Sequence, residues 1–224
     1  MPTVSIIVRT KNEQKWIGRC LKAVFSQKFK DFEAVVVDNG SSDRTLSIAK
    51  KFPVKIVVHK EKVWLPGKAI NAGIRNSSGK YVAVLSGHCV PVNNSWLSDL
   101  VKEIKVPKVA GVYGRQLPLP ESSPLDKQDL LLFFGKDRLI QTKGHFFYFD
   151  NANGIIKRSV WQKIPFDEKV KHKENIIWGR EVVKRGYKII YTPKAGVYHW
   201  HGINHAGNIK RAKEVVKVLK HLET

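Results

Sequence analysis

Along the first 113 residues, the apolar positions fall into short runs rich in β-branched residues, separated by stretches of helical period. Val4 to Val8, Ala34 to Val37, Val54 to Val58, Tyr81 to Leu85 and Val109 to Tyr113 read as buried strands. Between them, Trp16, Cys20, Leu21, Val24 and Phe25 recur at i, i+4 spacing. Leu46, Ile48 and Ala49 follow a Ser-Ser-Asp cluster suited to capping, and Trp96, Leu97, Leu100 and Ile104 form a further helical stripe. Alternation of strand and helix predicts an α/β, Rossmann-like fold: a mostly parallel central sheet flanked by helices on both faces. Sheets of this kind bind ligands beyond the carboxyl ends of their strands, so the residues just after each apolar run are the first candidates for chemistry.

Leu117 to Gln128 is rich in Pro and Ser and reads as a surface loop, suited to a flap. An apolar helical candidate, Leu130 to Phe134, and an aromatic run, Phe146 to Phe149, follow. A second helix-strand series ends in Tyr187 to Tyr191 and Val197 to Trp200. In the last segment, Asn208 to Leu222, Ala212, Val215, Val216, Leu219 and Leu222 share one helical face, with Lys210, Lys213, Lys217 and Lys220 largely opposite. That pattern suits a helix packed on the domain, or one lying on anionic lipid. No run reaches the roughly 18 to 20 apolar residues of a membrane span, and no secretory leader precedes Val4. The expected location is cytoplasmic, peripheral at the inner face of a membrane if the last segment binds lipid.

Forty basic residues against 19 acidic ones give a formal charge of +21. Such a chain attracts nucleic acid, anionic lipid head groups or phosphorylated small molecules, although a Lys-rich surface also arises without any partner. Helix-turn-helix, zinc-finger, ribonucleoprotein and arginine-rich signatures are missing, so a nucleic-acid partner is not expected. The two cysteines, Cys20 and Cys89, suggest neither a disulfide framework nor a cysteine zinc site.

After Val37 comes Asp38-Asn39-Gly40-Ser41-Ser42-Asp43-Arg44-Thr45, which sets a carboxylate and an amide at a strand tip and then opens a helix. Those groups suit hydrogen bonds to a base or ribose, and equally an ordinary turn. Three blocks taken in order, Val4-Ser5-Ile6-Ile7-Val8-Arg9-Thr10-Lys11-Asn12-Glu13, Leu21 to Gln27, and Val35 to Asp43, resemble the opening of the family 2 glycosyltransferases. Lys68-Ala69-Ile70-Asn71-Ala72-Gly73 and Gly79 to Leu85 continue the likeness, which extends over roughly residues 3 to 205.

The resemblance implies a GT-A fold in one domain over 1–224. Residues 1–115 would be the nucleotide-binding half, 116–205 a smaller acceptor and catalytic half, and 206–224 a basic amphipathic helix. It implies that Arg9, Thr10, Asn12, Glu13, Asp38 and Asn39 surround the base and ribose, with Lys68 and Asn71 nearer the ribose and phosphates. The implied activity is inverting transfer of a sugar from a nucleotide-sugar donor to a saccharide or lipid-linked saccharide. A catalytically silent nucleotide-sugar binder and a basic nucleic-acid-binding protein are the alternatives.

Two departures from the family pattern bear on chemistry. Where the family places Asp-x-Asp to hold a divalent cation, this chain has Ser86-Gly87-His88. Loss of both carboxylates weakens a Mg²⁺ site, while imidazole still suits Mn²⁺. Strand alternation puts His199 and His201 on one face, and the resemblance implies that a His near this position joins the metal or diphosphate site, making His88 with His199 the expected ligand pair. Protonated imidazoles binding phosphate directly are the alternative. The second departure is in Lys173-Glu174-Asn175, where the family's Glu-Asp pair supplies the general base. An amide is not basic, so either Glu174 or Glu181 supplies the base, or the chain is weak or inactive, or Asn175 is an engineered replacement of Asp. On the acceptor side, Gly114-Arg115-Gln116-Leu117-Pro118 and Phe149 to Gly154 match the family. Asn151 and Asn153 are candidates for sugar hydroxyls and Trp178 for stacking on a sugar ring.

Overall fold

The computed structural model describes residues 1–61, 63–144 and 148–202; the helix expected over 208–222 lies outside them, as do Phe146 and Phe147 of the aromatic run. The amino-terminal half supplies four parallel strands in the order β3-β2-β1-β4: β1 (Val4–Thr10), β2 (Phe32–Asp38), β3 (Lys55–Val58) and β4 (Tyr81–Ser86). Their crossovers run through α1 (Ile17–Phe25), α2 (Thr45–Ala49) and α3 (Pro66–Arg75). Pro66 opens α3 at a position where a missing N–H costs nothing.

The rest of the chain adds β5 (Cys89–Pro91), α4 (Trp96–Ile104), β6 (Val109–Pro118), α5 (Pro124–Phe133), β7 (Leu139–Gln141), β8 (Asn153–Lys157), α6 (Arg158–Trp161), α7 (Glu174–Lys184) and β9 (Lys188–His199). One nine-stranded sheet results, in the order β3-β2-β1-β4-β8-β6-β9-β5, with β7 paired to β9. β1 to β4, β6 and β9 run one way, and β5, β7 and β8 run the other. The antiparallel β8, between β4 and β6, brings its first residue beside the carboxyl end of β4, where Leu85 pairs with Asn153.

Apolar side chains fill both faces of the sheet. Ile6 and Val8 join the cluster under α1 and α4, while Ile7 joins that under α3 and α7, as strand alternation requires. Gly73 sets how close α3 lies: a Cβ there would stand 2.4 Å from Cγ2 of Ile7 and 2.8 Å from Cγ2 of Val37.

Two regions depart from the sequence reading. Leu117 to Gln128 is not a loop throughout, since β6 reaches Pro118 and α5 begins at Pro124. Ser123 Oγ accepts from the Asp126 N–H at 3.1 Å, so the Ser and Pro that signalled a loop are a cap and a first helical residue. The segments Tyr187 to Tyr191 and Val197 to Trp200 belong largely to one strand, β9, which crosses Pro193 where its pairing with β6 shifts register between Gly114 and Gln116. Proline has no N–H for the ladder, so the shift falls where pairing was already lost.

Candidate active site

A cleft of about 390 Å³ opens at the carboxyl ends of β1 and β4. Arg9, Thr10 and Glu13 enter it from β1, Ser86 and His88 from β4, and His199 and His201 from the end of β9. The opposite wall comes from Asp150 and Asn151, just before β8, and from Glu174 and Asn175, which open α7. The reversed direction of β8 explains the meeting, because its entry shares an edge with the exits of its neighbours.

At the floor, the buried Arg9 donates through Nη2 to Ser86 Oγ (3.2 Å), Asn151 O (2.9 Å) and Asn151 Oδ1 (3.1 Å). Burial lowers its pKa, and the neighbouring Glu174 and Asp150 act in the opposite sense. Both carboxyls are themselves buried, and desolvation raises their pKa values against the pull of Arg9. Glu174 accepts a short hydrogen bond from Asn151 Nδ2. Asp150 accepts from Gln116 Nε2 (2.6 Å), Tyr148 OH (3.0 Å) and the Ala152 N–H (2.7 Å). Arg9 Nε, Thr10 Oγ1 and Gln116 Oε1 are buried without a hydrogen-bond partner among the described residues.

The three histidines form a second group. His88 Nε2 and His199 Nε2 lie 3.1 Å apart, and a ligand atom of His201 joins them with all three within 4.8 Å of one another. Glu13 Oε1 sits 2.6 Å from His88 Nδ1. A carboxylate accepts, so Nδ1 carries the proton and the lone pair of the neutral His88 ring is on Nε2, facing His199. Two ligand nitrogens about 2.1 Å from one ion would be about 3.0 to 3.4 Å apart, which matches the observed spacing.

The other strand-tip residues interlock beside the cleft. Asp38 accepts from the Ser41 N–H (2.8 Å) and hydroxyl, the Asn12 N–H donates to Ser41 Oγ (2.8 Å), and Asn12 Oδ1 accepts from the Ser42 N–H (2.8 Å). Asn12 holds a left-handed backbone, φ 55°, to do so. Asn39 Oδ1 accepts from the Glu61 N–H (3.1 Å), and Lys68 Nζ pairs with Glu61 at 2.6 Å. Asn39 Nδ2 is buried without a partner among the described residues. Gly87 packs against β1, where a Cβ would come within 3.0 Å of Thr10 Oγ1.

Residues 5–164 match the profile described as Glycosyl transferase family 2. The chain belongs to this family. It is 25% identical over 212 residues to the O-antigen chain rhamnosyltransferase WbaN of Salmonella anatum, covering 90% of this chain and 67% of that one. It is 39% identical over 111 residues to the glycosyltransferase AglE of Haloferax volcanii, covering 46% and 36%. Among solved structures, the mannosyltransferase PcManGT from Pyrobaculum calidifontis in complex with GDP-Man and Mn²⁺ superposes with a TM-score of 0.74 at 20% identity, over 100% of this chain and 65% of that one. S. aureus TarS 1-349 in complex with UDP-GlcNAc gives 0.70 at 20% identity, over 92% and 61%. These neighbours share the GT-A fold. The chain thus spans 36% to 67% of the length of these four proteins.

Asn12, Asp38, Asn39, Lys68 and Gly87 lie beside the cleft without lining it, and four further expected site residues stand apart from it. Asn71 is fully engaged: Nδ2 donates to Phe166 O (2.8 Å) and Glu168 (2.9 Å), and Oδ1 accepts from Trp161 Nε1 (2.7 Å). It ties α3 to the segment before α7 and is not turned toward a ribose. Asn153 is likewise internal, donating to Arg115 O (3.1 Å) and Ala195 O (2.9 Å) and accepting from Trp96 Nε1 (2.8 Å). Trp178, 1% exposed, packs between Phe149 and Phe166 and donates to Ile164 O, so it cannot stack on a sugar. Glu181 lies about two turns along α7 from Glu174, roughly 10 Å by helical rise, and does not line the cleft. Asn175 does line it, but its Nδ2 donates to Phe149 O at 2.6 Å.

The cleft also holds residues that were not singled out: Asp150, Gln116, Tyr148, Trp64 and the basic stretch Lys171 to Lys173. Asp150 and Gln116 fall inside the two acceptor-side segments matched to the family, so their neighbourhood was visible and their individual importance was not. Nothing in the local pattern marks Trp64 or Tyr148.

Proposed function

We propose that this chain catalyses inverting transfer of a sugar from a nucleotide-sugar donor to a saccharide or lipid-linked saccharide acceptor. The observation that carries the reading is the single cleft in which the β1 and β4 tips meet a buried carboxylate at the start of α7. Similar proteins named as acting on the O-antigen chain, and on a dolichyl-linked glucosaminyl phosphate in Methanococcus voltae, support the acceptor class. Solved neighbours holding GDP-Man or UDP-GlcNAc support the donor class.

In this reading Asn12, Asp38, Asn39 and Lys68 face the base, ribose and phosphates, and the unpartnered Asn39 Nδ2 donates to the nucleotide. Arg9, Thr10, Glu13, Ser86, Gly87 and His88 border the diphosphate and sugar, with Lys171 and Lys173 adding positive charge. Asn151 orients Glu174 and contacts the acceptor. A proton passes from the acceptor hydroxyl to Glu174, the oxygen bonds to the anomeric carbon, and the diphosphate departs from the opposite face with the bonding electrons. Glu174 fits this role better than Asp150, whose oxygens already accept from Tyr148, Gln116 and Ala152. Its burial makes it a stronger base than an ordinary carboxylate.

His88, His199 and His201 would hold a divalent cation, which would supply positive charge to the leaving diphosphate. An all-imidazole donor set suits a borderline ion such as Mn²⁺ or Zn²⁺ more than Mg²⁺, which prefers oxygen.

Incubation with a panel of UDP, GDP, CMP and dTDP sugars, with release of the free nucleotide measured with and without added Mn²⁺, tests the reading. Release is expected for one donor class, lost in Glu174→Gln and increased in Asn175→Asp. Binding of a nucleotide sugar with no turnover in either Asn175→Asp or the wild type would favour a silent binder. A Glu174→Gln variant as active as wild type would remove Glu174 as the base.

A further inference from the structure

Twelve large apolar side chains are exposed among the described residues, and six of them fall between residues 125 and 140: Leu125, Leu131, Leu132, Phe133, Leu139 and Ile140. Leu125 and Leu132 are seven residues apart on α5 and therefore share one face two turns apart, and Leu132 is 77% exposed. β7, which carries Leu139 and Ile140, hangs on the edge of β9. A soluble surface rarely gathers so much apolar area without a use for it.

We infer that the exposed apolar side of α5 docks on an anionic lipid surface. The overall charge of +21 draws the chain toward such a bilayer, and the face lets it insert. Lys136 and Lys143 flank the apolar residues in sequence, while Lys127 donates to Pro120 O and Arg138 pairs with Glu103. Of the three acidic residues in the same stretch, Asp126 is buried and accepts from the Gly202 N–H at 2.6 Å. Exposed apolar side chains on so basic a chain complement acyl chains beneath anionic head groups. The face also adjoins the cleft: the Phe133 ring lies 4.9 Å from that of Tyr148, a residue of the cleft wall. Docking there presents the acceptor side of the cleft to the membrane surface. This surface stands independently of the catalytic reading.

The test is co-sedimentation of the full chain with phosphatidylglycerol–phosphatidylcholine vesicles and with phosphatidylcholine alone. Wild type is compared with Leu125→Gln/Leu132→Gln and with a variant carrying Lys→Gln at Lys210, Lys213, Lys217 and Lys220. The expected result is binding to the anionic vesicles that falls at least about tenfold in the double Leu variant, with an unchanged melting temperature. No binding by the wild type overturns the inference. So does full binding by the double Leu variant, whether or not the Lys variant loses it. A drop of several degrees in the melting temperature of the double Leu variant also overturns it, since the face would then be covered by protein, either residues 203–224 or a second copy.

Discussion

Replacing Arg9 with Met tests whether the cleft floor is a charge-balanced unit. The guanidinium donates three hydrogen bonds, to Ser86 and Asn151, and its charge acts on two buried carboxyls, Glu174 and Asp150. Methionine keeps much of the apolar stem and removes the charge. Removing a buried charged donor and leaving its acceptors unpartnered costs about 1.5 to 3 kcal/mol. At roughly 2 to 4 °C per kcal/mol for a chain of this size, the melting temperature should fall by about 3 to 12 °C near neutral pH. The effect should also depend on pH. Burial already raises the pKa values of Glu174 and Asp150, and without Arg9 they hold protons more firmly still. The folded variant then binds more protons than its unfolded chain, so its stability declines as pH rises beyond the ordinary carboxylate range near 4. The gap between wild type and variant should therefore be small at about pH 5 and wide at about pH 8. Thermal unfolding followed by circular dichroism at both pH values measures this. A loss below about 1 kcal/mol at neutral pH, or an equal loss at the two pH values, would refute the coupling of Arg9 to these carboxyls.

Asn153→Ala should lower stability by about 1 to 3 kcal/mol, because it strands the Trp96 indole N–H and two carbonyls in the core. An acceptor KM that rises without a fall in melting temperature would reinstate it as a sugar ligand. For the histidine group, Mn²⁺ or Zn²⁺ should raise the melting temperature of the wild type and leave His88→Ala/His199→Ala unmoved. Equal shifts in both proteins would place the ion elsewhere.

Strand existence was legible along the first half because each strand there is an apolar run, although β3, at the edge of the sheet, is not buried as expected and leaves Val58 61% exposed. β5, β7 and β8 were not, since three to five residues are too few for a period to show, and β8 begins at Asn153 inside a segment that reads as a turn. The site divides in the same way. Arg9, His88, His199 and Glu174 follow recognisable apolar runs or helix starts and meet in the cleft. Asn71, Asn153 and Trp178 have the chemistry of ligands but are consumed by the core, where a buried amide must satisfy both ends and an indole N–H needs an acceptor. Only the fold reveals which amides are already spoken for. Asp150 illustrates the converse: its carboxyl looks like a turn residue in sequence, and β8 turns it into the cleft.

The reversed strand β8 also has a mechanical consequence. Because β4, β8 and β6 are one continuous ladder, the two walls of the cleft share a stiff backbone rather than two bodies joined by a hinge. In the proposed reaction, substrates would enter and products leave without the two walls separating. The loops ahead of α3 and α7, where Trp64 and Lys171 to Lys173 sit, are the parts of the cleft rim that lie off the sheet. If the proposed reaction holds, movement during turnover would be confined to this rim, while the ladder keeps the spacing of the cleft walls fixed.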